Sequence, residues 1–144
     1  MTDDILVTVK GTQFFFNETD AGDDAVEIVT PGRYRVQDGT HFISYEEVYE
    51  GIEGTTHNEI RVFGSAVEVV KSGLVNAGMY FEEGKRGMSY YTTPFGQMEM
   101  GIATTELKKN VTGDRIDLRI GYALEVNGAH IADCKVSICA QSNS

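Results

Sequence analysis

Alternation of apolar and polar residues is the feature of this sequence that most limits the folds open to it. The pattern is clearest between residues 115 and 126, where every second residue is apolar: Ile116, Leu118, Ile120, Tyr122, Leu124 and Val126. Successive side chains of a β-strand point to opposite faces, so this segment predicts a strand with one buried side and one wetter side. The next segment repeats the pattern with Ala132, Cys134, Val136, Ile138 and Ala140. Between the two, Asn127-Gly128 predicts a tight turn, so they are expected to form an antiparallel hairpin.

The same alternation recurs upstream, with glycine-containing pairs between its segments. Further strands are predicted at residues 5–9, 26–30, 33–36, 41–47, 58–63, 66–71 and 76–81. Turns or breaks are predicted at Pro31-Gly32, Asp38-Gly39, Gly64-Ser65 and Ser72-Gly73. Residues 51–56 fit either a loop or a strand. No window of 11 or more residues has convincing helical periodicity.

Nine or ten strands in a chain of 144 residues predict one domain with a closed sheet. Such a sheet either closes into a barrel or splits into a sandwich. Short links favour an up-and-down meander, and closure removes the edges that promote aggregation. We therefore expect an all-β fold, a single antiparallel up-and-down barrel of about 8–10 strands over residues 1–144. Flexible termini are expected at 1–4 and 141–144, and a mobile loop from Asn17 to Asp24.

The acidic composition excludes several classes of partner. The chain has 12 Lys and Arg against 22 Asp and Glu, a net charge of −10. Nucleic acids and anionic membranes attract positive charge, so neither is an expected partner, although a local basic patch stays open. No apolar run approaches the 18 residues of a membrane span, and the acidic N-terminus does not resemble a signal peptide. A cytoplasmic location is therefore predicted.

Cys134 and Cys139 are the two cysteines of the chain. They lie five positions apart in one predicted strand, so they point to opposite faces and cannot bridge each other. Cys134 is in phase with the apolar residues of its strand and is expected in the core. Both are predicted to be free thiols, and no histidine lies close enough in sequence to suggest a metal site.

The segment from Gly84 to Met100 has the most unusual local composition, GKRGMSYYTTPFGQMEM. Its simplest interpretation is a hairpin, because Thr93-Pro94-Phe95-Gly96 has the composition of a type I turn. A nucleotide-clamping or phosphate-binding glycine loop would need a neighbouring helix, whereas both flanks are predicted strands. The adjacent Tyr90 and Tyr91 must face opposite sides.

Three groups of polar residues have the residue types of a catalytic or metal site, but not the spacing that such a site needs. Glu46 and Glu47 are adjacent in a predicted strand, so they diverge, and a solvated surface is expected for them. The segment Asp20 to Asp24 lacks the alternating ligands of a calcium loop. The histidines are scattered, each near a turn: His41, His57 and His130. No catalytic residue, metal site or cofactor is therefore predicted.

Five segments, in their order and spacing, resemble one family. They are ISYEE at 43–47, VEVVKSG at 67–73, FEEG at 81–84, YTTPFGQMEM at 91–100 and GDRIDL at 113–118. The chain resembles the YwiB-like family, small bacterial domains of unknown function with a calycin (lipocalin-like) β-barrel, over about residues 5 to 138. The resemblance implies an antiparallel calycin-like barrel, in agreement with the strand pattern, and implies no catalytic residues.

Three functions agree with such a barrel. The first is the binding of a small, largely apolar molecule in the interior. The residues predicted to contact that ligand are Tyr45, Arg61, Met79, Phe81, Tyr91, Met98, Met100 and Tyr122. The alternative is a structural or protein-interaction module whose barrel is filled by its own side chains. An enzyme is the third and the least supported, because no inward cluster of His, Asp or Glu follows from the spacing.

Overall fold

Ten antiparallel strands account for nearly all of the chain that the computed structural model describes, namely residues 1–12, 25–49 and 51–143. The strands are β1 (Asp4–Thr12), β2 (Ala25–Gln37), β3 (Thr40–Tyr49), β4 (Ile52–Phe63), β5 (Ala66–Gly73), β6 (Asn76–Glu82), β7 (Arg86–Thr93), β8 (Gly96–Val111), β9 (Arg115–Val126) and β10 (Ala129–Ser142). Within these described ranges there is no helix, and so none long and apolar enough to cross a membrane. The prediction of an all-β fold is confirmed.

The strands form a closed up-and-down barrel. Each strand pairs with its neighbours in the chain, and β1 also pairs with β10, which closes the sheet. The closing contact runs from Ile5 opposite Ser142 to Gly11 opposite Val136. The predicted antiparallel barrel is therefore confirmed, with a strand number at the upper end of the expected range.

The hydrophobic core lies inside this barrel. On β9, the alternating apolar residues identified in the sequence are buried from Ile116 to Leu124. The fully buried aliphatic side chains come from strands all around the barrel: Ile5, Val7, Ile43, Ile60, Val62, Val67, Ile102, Ile116 and Ile120. Cys134 is buried among them and Cys139 lies on the outer face, and neither forms a disulfide. The predicted faces of the two cysteines are confirmed.

The turn between β9 and β10 follows from its two residues. Asn127 and Gly128 have φ angles of 52° and 87°. Two consecutive left-handed residues are what a type I′ turn requires, and Asn-Gly is the pair that adopts them at least cost. Asp38-Gly39 repeats the arrangement between β2 and β3, with φ angles of 52° and 81°. Both predicted turns are confirmed.

A turn or bend is predicted at Pro31-Gly32, but β2 runs through this pair without interruption, so it forms no turn. Gly32 lies at a close approach of neighbouring strands. A Cβ atom there would stand 2.6 Å from the carbonyl oxygen of Ser44 and 2.7 Å from a methyl group of Val7. The glycine therefore permits close packing inside a strand rather than a turn.

The segment singled out between Gly84 and Met100 is a hairpin, as predicted. Strands β7 and β8 pair from Arg86 opposite Ala103 to Thr93 opposite Gly96. Tyr90 is exposed on the outer face, whereas Tyr91 is half-buried and packs against the core. Of the two adjacent tyrosines, Tyr91 is thus the one that faces the interior.

The ends of the described chain are hydrogen-bonded to the barrel. The amino group of Met1 donates to the carbonyl oxygen of Gly113 at 2.8 Å. The amide of Asn143 donates to the carbonyl oxygen of Asp4 at 3.1 Å.

Residues 51–56, for which the sequence fits either a loop or a strand, belong almost entirely to β4. The mobile loop predicted from Asn17 to Asp24 lies outside the described residues.

Candidate functional site

One row of inward side chains crosses six consecutive strands near one end of the barrel. Its members lie directly opposite one another in the antiparallel register: Tyr45, Asn58, Lys71, Ala77, Tyr91 and Met98. Directly opposed side chains on one face of a sheet have Cβ atoms about 5 Å apart, so the row forms a continuous strip. Lys71 is two residues from the end of β5 and Met98 is the third residue of β8, which places the strip close to the barrel opening.

Three side chains on the β3–β5 side of this strip form a hydrogen-bonded polar cluster, consisting of Glu47, Asn58 and Lys71. The ammonium group of Lys71 donates to Asn58 Oδ1 at 2.6 Å and lies 3.4 Å from Glu47 Oε1. Asn58 Nδ2 in turn donates to the same carboxylate oxygen at 3.2 Å. Each member of the polar cluster therefore contacts both others.

The polar cluster is largely shielded from water. Asn58 is fully buried, and the side chains of Lys71 and Glu47 are only 16% and 20% exposed. Removing two charges from water costs several kcal/mol per ion, and mutual attraction offsets this only with good geometry and further hydrogen bonds. Thr56, also fully buried, accepts a hydrogen bond from the amide of Val75 at 3.2 Å beside the cluster. A buried ion pair of this kind is weak evidence for stability.

The sequence predicted that Glu47 lies on a solvated surface, and this prediction is wrong. Glu46 does point outward, where it is hydrogen-bonded to His57. Glu47 points inward, because it lies opposite the inward Thr56. A signal for the cluster was present: Asn58 continues the phase of Ile60 on β4, and Lys71 continues that of Val67 and Val69 on β5.

The interior face of β6, β8 and β9, next to the polar cluster, is rich in aromatic and thioether side chains. Met79, Phe81, Met100 and Tyr122 are all buried, and Met98 is partly buried against them. The rings of Phe81 and Tyr122 have centroids 5.1 Å apart and are tilted by 54°. Methionine side chains adapt to irregular volumes, so this wall suits an apolar group of variable shape. Together with Tyr45 and Tyr91, seven of the eight predicted contact residues face the interior.

Arg61, the eighth predicted contact residue, does not face the interior. It lies opposite Phe42 and Glu68, on the outward face of β4. Its guanidinium group pairs with Glu59 at 2.8 Å and with Glu68 at 3.1 Å. Alternation puts Arg61 out of phase with Ile60 and Val62, so an interior role for Arg61 is incompatible with the register.

Burial keeps the interior tyrosine and cysteine in their neutral forms. It raises the pKa of Tyr122 well above the usual value, and a hydrogen bond to Cys134 adds to this. Burial also raises the pKa of Cys134 to about 11, partly offset by the same hydrogen bond. A thiol is a nucleophile only as the thiolate, so Cys134 is a poor nucleophile near neutral pH.

The other end of the barrel is closed by a different group. The hydroxyl of Tyr34 and Nδ1 of His41 are 2.6 Å apart. Lys109 donates to the carbonyl oxygen of Gly64 at 2.5 Å across this end. Burial lowers the pKa of His41, and the positive charge of Lys109 lowers it further. Met1 packs against the core at this end as well.

The described residues contain no cluster of three or more His, Cys, Asp or Glu that could hold a metal ion. The three histidines lie apart, beside Tyr34, Glu46 and Asp133 respectively.

This chain matches a known family, and it is similar to a relative both in sequence and in solved structure. The model of a domain of unknown function, DUF1934, matches residues 7–138. An uncharacterized β-barrel protein, YwiB of Bacillus subtilis (strain 168), is 25% identical over 109 residues, which are 76% of this chain and 75% of that protein. The crystal structure of the ywiB protein from Bacillus subtilis superimposes with a TM-score of 0.82 at 22% identity, covering 99% of this chain and 93% of that one. At this identity the structural likeness concerns the fold.

Proposed function

The chain belongs to the DUF1934 family of domains of unknown function, and we propose that it binds one small, largely apolar molecule inside its barrel. The observation that carries the proposal is the strip across β3 to β8, which joins a buried polar cluster to an adaptable apolar wall. Small-molecule sites are commonly concave and mostly apolar, with a few placed polar groups. The end of the barrel interior that holds the strip combines apolar side chains with a few polar groups in this way.

The polar cluster limits the chemistry of the ligand. Lys71 and Glu47 already neutralise each other, so a charged ligand group would leave one of them buried beside a like charge or without a counter-ion. A neutral amide or hydroxyl group avoids this, because it can accept from Lys71 or Asn58 and donate to Glu47. The ligand is therefore expected to carry one neutral polar group on an apolar body.

A buried hydroxyl gives further support. Thr104 is 3% exposed, and its Oγ1 has no hydrogen-bond partner among the residues described. It lies directly opposite Tyr122 on the interior face. A buried polar atom without a partner costs about 1–3 kcal/mol, and in folded proteins it is commonly satisfied by water or a ligand. A second polar atom of the ligand, or a water molecule held with it, would remove that cost.

The first test is native mass spectrometry of the freshly purified protein beside a denatured sample. A mass excess that disappears on denaturation would identify a bound molecule, and its chemistry can then be compared with the neutral, largely apolar class. A mass that equals the sequence mass in every preparation, together with no binding from a library of neutral apolar compounds, would refute the proposal.

A pair of tryptophan substitutions locates the site. Met100→Trp adds bulk inside the barrel, where Met100 is 2% exposed, whereas Met88→Trp adds the same bulk outside, where Met88 is 60% exposed. Met100→Trp should abolish binding at a cost of about 1–3 kcal/mol in stability. Met88→Trp should leave both unchanged. Binding that survives Met100→Trp in a folded protein would rule out the interior site.

The alternative function is a structural or interaction module with a filled barrel. It is supported by the dense packing of fully buried aliphatic residues in the core, and by apolar side chains exposed on the β7–β8 hairpin: Met88, Tyr90 and Phe95. The same mass spectra test it, because a ligand-free protein with a defined oligomeric mass would favour this alternative.

We also propose a cytoplasmic location. Cys134 and Cys139 are both free, and unpaired cysteines are typical of reducing compartments. Fractionation of cells that express a tagged chain would test this.

A further inference from the structure

A groove on the outer wall of the barrel gathers positive charge on an otherwise acidic protein. It crosses β2, β1, β10, β9 and β8 and has a volume of about 360 Å³. Five of its lining residues are cationic and two are anionic: Lys10, Lys108, Lys109, Arg115 and Arg119 against Glu27 and Asp117. Lys109 donates to Gly64 at the barrel end and Arg115 pairs with Asp117. The groove therefore holds Lys10, Lys108 and Arg119 against Glu27, on a chain whose net charge is −10.

The strand register places the cations in one row. Lys10 lies opposite Ser137, Ser137 opposite Arg119, and Arg119 opposite Lys108. Neighbouring strands are about 5 Å apart, so Lys10 and Arg119 flank Ser137 at about 10 Å from each other. The direct pairing of Arg119 with Lys108 is unfavourable, because like charges directly opposite in a sheet repel.

The protein compensates part of this charge, because Lys10 also lies opposite Glu27 on β2, but the contact between Arg119 and Lys108 is compensated only weakly. Among the described residues, Lys10 and Arg119 form no ion pair. Lys108 lies 3.4 Å from Glu106 on its own strand, but the lysine side chain is 69% exposed, and exposed pairs contribute little. A ligand anion over the row would remove the repulsion and gain two or three charge-assisted hydrogen bonds.

We propose that this groove is a second binding site, for the phosphate group of a small phosphate monoester. A phosphate monoester has three terminal oxygens and up to two negative charges, which match the Arg119 guanidinium, two lysines and the Ser137 hydroxyl. The hydroxyl of Thr8 adds a further donor. The groove, at about 360 Å³, is larger than a phosphate group, so the organic part of the ester has room beside it. A nucleic acid is disfavoured because the rest of the protein repels a long polyanion.

The test is a titration of ¹⁵N-labelled protein with phenyl phosphate, followed by NMR. Saturable shifts are expected at the amides of Lys10, Ser137, Arg119 and Lys108, and the affinity should fall as sodium chloride is added. Arg119→Gln should weaken binding about tenfold or more, because a hydrogen bond to a charged group is lost. Arg33→Gln removes the same charge outside the groove and should change the affinity by less than about twofold.

A second measurement separates binding from folding. Without phosphate, Arg119→Gln should unfold at an equal or higher urea concentration than the natural chain, because the substitution removes a like-charge contact. The proposal is overturned by an absence of saturable shifts up to about 10 mM phenyl phosphate, an affinity too weak for a specific site. It is also overturned if Arg33→Gln weakens binding as much as Arg119→Gln does, or if inorganic phosphate binds as tightly as phenyl phosphate. A lower urea midpoint for Arg119→Gln than for the natural chain would overturn it as well.

Discussion

Replacing Lys71 by methionine tests whether the polar cluster is an internal feature or a solvated one. The substitution keeps most of the side-chain volume and removes the charge. It leaves the Glu47 carboxylate and Asn58 Oδ1 without their ammonium partner, which lies at 3.4 Å and 2.6 Å from them. Glu47 and Asn58 would then be held at the barrel end with a reduced set of hydrogen bonds.

The expected loss follows from the burial of the pair. Removing one partner of a fully buried ion pair costs about 3–5 kcal/mol, and a hydrogen bond to a charged group contributes about 1.5–3 kcal/mol. Lys71 and Glu47 retain 16% and 20% exposure, so water compensates part of the loss and the lower values apply. We expect the free energy of unfolding to fall by about 2–3 kcal/mol, or the melting temperature by roughly 5–10 °C.

The assay is equilibrium urea unfolding, monitored by circular dichroism and by tyrosine fluorescence, since the chain has seven Tyr and no Trp. The matched control is Arg33→Met. Arg33 and Asp4 are also 3.4 Å apart, but their side chains are 74% and 71% exposed, so a change below about 0.5 kcal/mol is expected there. Adding Glu47→Gln to Lys71→Met should recover part of the loss, because no unpaired charge then remains.

The reasoning would be refuted if Lys71→Met lowered the free energy of unfolding by no more than Arg33→Met does. That result would mean that water solvates the pair in the folded protein. It would also remove the basis for expecting a neutral polar group on the ligand.

Three further substitutions or conditions test other parts of the structure. Gly32→Ala should destabilise the barrel by about 2 kcal/mol or more, because the added Cβ atom forces the strands apart. Gly113 has open space around it, so Gly113→Ala should reduce stability by less than about 0.5 kcal/mol. The urea midpoints of the two variants test this difference. Because the folded-state pKa of His41 is lowered, the unfolded chain binds the proton first, so stability should fall as pH drops below about 6.5 and His41→Gln should flatten this slope. Because the folded-state pKa of Cys134 is raised to about 11, the unfolded thiol ionises first. About 1 kcal/mol of stability should therefore be lost between about pH 8 and 10 in the natural chain, and the loss should be smaller in Cys134→Ala.

The sequence predicted the fold well because the barrel depends on local signals. Alternation from Ile116 to Val126 and the Asn127-Gly128 turn are enough to define one hairpin, and repetition of such hairpins defines a meander. The inward face of each strand followed from its apolar residues, which is why Met79, Met100 and Tyr122 were placed correctly inside.

The errors arose where a contact between distant strands decides the outcome. Gly32 has the composition of a turn, but the close approach of Val7 and Ser44 makes it part of a strand. Glu47 is polar, and its pairing with Asn58 and Lys71 makes an inward position tolerable. Local composition does not report either of these contacts. The basic groove depends on the register of four strands, so the sequence left a local basic patch only as an open alternative.

The pairing of β1 with β10 also has a consequence for the time course of folding. The two strands meet through residues more than 120 positions apart, from Ile5 opposite Ser142 to Gly11 opposite Val136. Closing so long a loop is entropically costly, and topologies dominated by such contacts fold slowly. During synthesis β1 is made first and its partner last, so the unclosed meander has two unpaired edges until β10 has left the ribosome. Protection of nascent chains is therefore most needed in the interval before the final strand arrives.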